Sequence, residues 1–132
     1  MSKALTFRRI EDRKGILLRK EADVSSLDEW YHSVRGKPIS QFSDKDLGIA
    51  CRQELYLEFV VPFVLARIEL NPLAGDMYDA ELLIAIAGLP RQFWVNNLAT
   101  ANTLRTLLDS ITVEANFVDA IKAMQDLRSA VA

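Results

Sequence analysis

One cysteine, one histidine and five scattered glycines leave this 132-residue sequence with few of the usual materials of catalysis. Cys51 is alone, so an internal disulfide is excluded, and no Cys/His spacing suggests zinc. A single histidine, His32, rules out multi-histidine metal sites and leaves only one candidate imidazole base. The glycines, at 15, 36, 48, 75 and 88, form no phosphate-cradling loop. GxSxG, HExxH and CxxC are absent. Long hydrophobic runs are missing too: Phe59 to Ala66 holds eight residues without a charge, whereas a bilayer span needs about 20. The N-terminal MSKALTFRRIEDRKGILLRKE has charges where a signal peptide needs an unbroken apolar stretch, so a cytoplasmic, reducing location with no membrane partner is expected.

What is present suits a globular core. Half of the residues are apolar and about a quarter are charged, and a chain of this length is one domain of ordinary size. The net charge of −2 argues against direct nucleic-acid binding by the whole domain. Its distribution is uneven. Residues 37–90 carry four Lys/Arg against eight Asp/Glu, while residues 91–132 balance at four each.

Periodicity is helical almost throughout. Residues 1–24 are the exception, where the alternation around Leu5 and Phe7 and the polar EDRKG turn before GILLRK suggest a short hairpin or an arm. Ser26 with Glu29 has capping-box spacing before a short helix that Gly36 and Pro38 stop. A long apolar helix is predicted from Asp44 to Leu70, central in the bundle and bent where Pro62 removes a backbone donor. Asn71-Pro72 ends it. A loop leads to AELLIAIAGL, started by Asp76 or Asp79 and stopped by Gly88 and Pro90. QFWVNNLATANTLRTLLDS forms one helix or two short ones. A terminal amphipathic helix follows, with Phe117, Ile121, Met124 and Leu127 on its apolar face. The expectation is an all-α single domain, 1–132, of about five helices around a proline-kinked central helix.

Chemistry is sparse on this frame. Asp76, Asp79 and Glu81 resemble part of a calcium loop without its remaining ligands, and capping or surface charge explains them more simply. Cys51 falls on an apolar row, the place of a buried inert thiol. His32 with Asp28 reads as a helix-surface pair. Arg52 on the central helix needs a partner, and a structural network is expected with Gln53 and Trp94 or with the loop around Asp76 to Asp79. Glu54 and Glu58, one turn apart, belong to the same structural network or help form an acidic surface for a basic partner, and the two readings can coexist.

From Ser26 to Trp94 the ordered motifs resemble a known family. They are Lys37-Pro38 with Phe42, Asp46-Leu47 before Arg52-Gln53, Val61-Pro62, the NPLAGD loop from Asn71 to Asp76, Tyr78-Asp79, Glu81 to Leu83, and Phe93-Trp94. The pattern is similar to the immunity proteins of contact-dependent growth inhibition (CDI) systems, in their α-helical single-domain branch. One departure is Ala80, a position that family members often fill with glycine. The resemblance implies an antitoxin rather than an enzyme, with no cofactor, that binds and blocks the C-terminal toxin domain, commonly a nuclease, delivered by a sibling cell. It does not mark the toxin footprint. Charge alone nominates Asp44, Asp46, Glu54, Glu58, Asp76, Asp79 and Glu81, with Tyr78 as the aromatic anchor. The alternative is a small helical adaptor or self-associating module, which would use Phe93 and Trp94 in a homo-oligomer. A carboxylate hydrolase is a third class, and it needs Glu54 and Asp79 to converge in one pocket.

Overall fold

In the computed structural model, which describes residues 4–15 and 25–132, every regular element is helical and no strand occurs among the described residues. The all-α class read from the sequence is therefore correct. The described residues form eight α-helices and one 3₁₀ turn rather than about five helices. Contacts gather into two compact units, Met1–Ser43 and Asp44–Ala132.

The first unit contains α1 (Phe7–Lys14), α2 (Ser26–Val34) and a 3₁₀ turn at Ile39–Gln41. The alternation that suggested a hairpin belongs to the start of a helix. Thr6 caps α1 by accepting the Arg9 N–H, and Gly15 closes it in the left-handed region at φ 68°. Of the hairpin's second strand, GILLRK, only Gly15 lies among the described residues. The capping box on α2 is one residue earlier than its sequence reading: Ser25 and Asp28 exchange the two bonds, not Ser26 and Glu29. Asp28 is thereby engaged by Ser25, and His32 remains exposed. Phe7 is fully buried and stacks on Tyr31 at 5.5 Å between centroids, while Phe42 meets its edge at 5.2 Å. Beside this cluster lies Glu11, only 1% exposed. It receives both a bidentate Arg35 fork (Nε to Oε1 2.7 Å, Nε to Oε2 2.9 Å, and Nη2 to Oε1 2.7 Å) and the Tyr31 hydroxyl at 2.6 Å. A buried carboxylate with that many donors is tolerable where a lone one is not.

The second unit holds α3 (Asp44–Arg52), α4 (Leu57–Leu70), α5 (Glu81–Ala87), α6 (Arg91–Asn96), α7 (Leu98–Ser110) and α8 (Val118–Ala130). The expected long helix is two helices. The break falls at Gln53 to Tyr56, and α4 runs continuously through Pro62. The reason is a Schellman closure: Leu55 N–H reaches the Ala50 carbonyl at 2.9 Å and Glu54 N–H reaches Cys51 at 3.0 Å. Glu54, at φ 52°, occupies the left-handed position usually given to glycine, which is why no glycine signalled the stop.

The centre of this unit is α5, not the 44–70 segment. It packs against α8, α3 and α4, while α7 packs on α4, α6 and α8. ELLIAIA is apolar on nearly every side, and Glu81, Leu82, Leu83, Ala85 and Ile86 are all buried. Asn97 divides α6 from α7, its side-chain amide donating to the Phe93 carbonyl at 2.8 Å. On α8 the buried residues are Ala120, Ala123 and Leu127, while Phe117, Ile121 and Met124 are only partly covered. Small residues there let α8 lie close against α5.

Candidate functional site

Asn71 to Glu81 forms the most constrained loop of the second unit. Its start is an Asx turn, in which the Asn71 side chain accepts the Leu73 N–H at 3.1 Å and its carbonyl accepts Ala74 N–H at 3.0 Å. Ala80 N–H returns to the Leu73 carbonyl at 2.9 Å, so the loop closes on itself. Gly75 sits inside that closure. A Cβ there would lie 2.4 Å from the Tyr78 carbonyl oxygen and 2.6 Å from Glu81 Cβ, so only glycine fits. Ala80, where the family pattern favours glycine, has φ 64°, the left-handed conformation that glycine adopts without penalty.

Glu81 is the loop's clasp. Only 2% exposed, it accepts the N–H groups of Asp76 (2.8 Å) and Met77 (3.1 Å) on one oxygen. Its other oxygen takes the Arg52 guanidinium at 3.0 Å. Burial pushes the Glu81 carboxyl up, but the hydrogen bonds from Met77, Asp76 and Arg52 outweigh it and hold its pKa below the ordinary glutamate value. Arg52 therefore does hold the Asp76 loop, through Glu81. Gly48 lies directly beneath the guanidinium, where a Cβ would stand 3.2 Å from Nη1. Gln53 is exposed in the turn after α3, and Trp94 is buried with the Phe93 ring edge-on at 4.9 Å.

The nominated carboxylates divide into two sets. Asp44 is paired with Arg67, Asp46 is buried, and Glu81 is enclosed as described. Glu54, Glu58, Asp76 and Asp79 are exposed, as is Tyr78. Asp76, Asp79 and Glu81 do not converge, because Glu81 turns inward onto N–H groups and Arg52. Among the described residues no three His, Cys, Asp or Glu side chains are placed to hold a metal ion. Cys51 is buried, and burial raises its thiol to a pKa of about 12 against a smaller opposing pull from Arg52. Among the described residues no helix is long and apolar enough to cross a membrane.

The inward role of Glu81 escaped the sequence reading. A signal existed: an acid opening an apolar run, six residues after a glycine that needs its small size, with an arginine in need of a partner, Arg52, earlier in the chain.

A family model described as CDI immunity proteins covers residues 14–104. No curated protein matches the chain.

Proposed function

The chain belongs to the family of CDI immunity proteins, and from that membership we propose that it binds and neutralises the C-terminal toxin domain, a nuclease, of its own CDI system in the cytoplasm. The observation that carries this reading is the family match itself, which runs through the Arg52–Glu81 clasp and the loop it fixes. Toxin neutralisation is the family's general role, and it calls for a binding surface rather than a reaction centre. Glu54, Glu58, Asp76 and Asp79 are exposed and supply one of suitable charge. Nuclease toxins need basic clefts to hold phosphates, and a fixed array of carboxylates opposes such a cleft with complementary potential. That complementarity speeds encounter and discriminates among partners. Asp44 and Asp46, paired or buried, are assigned to the frame.

The test is co-expression of the full chain with the C-terminal domain encoded by the gene immediately upstream. A stable complex that suppresses the toxin domain's nuclease activity is expected. Free toxin domain with undiminished activity in the presence of excess chain refutes the reading.

A further inference from the structure

Tyr78 does more than stand among carboxylates. It forms one wall of a groove of about 480 Å³ between α5 and α8. The volume is in the range that accommodates a ligand-sized group. Ile84, Ala87 and Ala123 give the groove an apolar floor, and Gly88 also lines it.

Two large apolar side chains are exposed in the loop that supplies this wall. Tyr78 is 50% exposed and Met77, its chain neighbour, 80%. Both belong to the loop that Glu81 pins through the Asp76 and Met77 N–H groups. Their exposure is thus imposed by a fixed backbone. Isolated exposed hydrophobics are ordinary, whereas a pair held rigidly next to an apolar trough is a contiguous binding surface.

The rim decides the occupant. Asp119 and Asp126 border the groove from α8, and Asp76 and Asp79 flank Met77 and Tyr78 in the loop. Lys122, the cation lining the groove, is bound to Asp126 at 3.0 Å in an exposed pair one turn apart. Such pairs are weak in water and exchange readily for a better partner. The acidic rim repels nucleic-acid phosphates. It also opposes a second copy across a two-fold axis, since each groove would then face like charge.

We propose that the α5–α8 groove, with Tyr78 and Met77, is the anchoring surface for the toxin domain, and that it takes an apolar side chain from a basic segment of that domain. This rests on the immunity reading and adds Asp119, Asp126 and Ile84 to the contact surface.

The experiment uses the full chain and the C-terminal domain encoded by the adjoining upstream gene, with affinity read by calorimetry. Tyr78→Ala is expected to weaken binding by about 30-fold or more, the size of an aromatic hot spot. The double variant Asp119→Lys/Asp126→Lys is expected to weaken binding by about tenfold at low salt and to flatten the salt dependence of the affinity. Hydrogen exchange on the wild-type complex supplies a readout independent of any variant's folding, with slowed amides expected at residues 76–79 and 118–126. If the wild type binds, but Tyr78→Ala binds within about threefold of it and these amides are unprotected, the groove is not the anchor while the immunity function stands. A wild type that fails to bind removes both. A wild type that sediments as a dimer with the groove protected before toxin is added assigns the surface to a second copy and overturns the proposal.

Discussion

Gly75 and Glu81 show how single atoms constrain this loop. A methyl group on residue 75 would collide with the Tyr78 carbonyl and Glu81 Cβ, neither of which is a flexible chain end. Gly75→Ala should therefore destabilise the protein by about 2–3 kcal/mol, in the range of overpacking a closed site, and urea unfolding would measure it. Glu81 links stability to pH. Its pKa is lower in the folded protein than in the unfolded chain, so its contribution is complete above the unfolded value and is lost as pH falls through the folded one. Loss should begin near pH 4.3, the ordinary glutamate value, and deepen below it. Glu81→Gln should be less stable than the wild type at pH 7, and the difference should shrink steadily as the pH is lowered through that window. A gap that stays constant from pH 7 to pH 3 would contradict the assignment. Much of this loop was legible beforehand. Asn71-Pro72 was visible as turn chemistry, and Gly75 and the Ala80 departure stood out through the resemblance to the family pattern. The inward rotation of Glu81 was not, because an acid at a helix start reads equally well as a dipole partner.

At the level of elements, the largest difference lies between α3 and α4. Apolar periodicity persists from Leu47 to Ile68, and the only conspicuous breaker in that span is Pro62. Yet the chain turns at Glu54 and Tyr56, both in the left-handed region. An L-residue there costs roughly 1 kcal/mol or more relative to glycine. Glu54→Gly should therefore raise stability by about 1 kcal/mol, while Glu54→Ala, which keeps a Cβ, should change it little. Equal effects of the two substitutions in chemical denaturation would argue against strain at this position. Pro62 is accommodated as the sixth residue of α4, where it supplies no backbone donor and the helix continues. Helix α8 differs from its reading in another way. Of the inferred face of Phe117, Ile121, Met124 and Leu127, Leu127 is buried and the other three are partly covered, with Ala120 and Ala123 buried in their place because close packing on α5 selects small side chains over large ones.

Over the whole molecule, a net charge of −2 conceals an acidic middle segment. Some of that acidity serves the frame, through Asp44 with Arg67 and Glu81 with Arg52. The exposed remainder is what a basic toxin domain would meet. Reversing Glu54, Glu58, Asp76 and Asp79 together should lower the association rate with the toxin domain by at least about tenfold at low salt. The deficit should narrow as ionic strength rises, because screening removes the steering from both proteins. Stopped-flow mixing over a salt series would measure it, and unchanged rates at low salt would count against these carboxylates as steering groups.

The sequence by itself determined the helical class, the turn at Asn71-Pro72, the stop at Gly88 and the motif order that marks the family. The turn and the stop are local, set by backbone chemistry within a few residues, whereas the motif order is legible as a resemblance. Only tertiary structure decided that α5 is the centre, that Glu81 faces Arg52 across 29 positions of chain, and that Tyr78 borders α8. Each of those depends on which helices meet, and composition and periodicity leave that choice open because several packings bury the same apolar faces equally well.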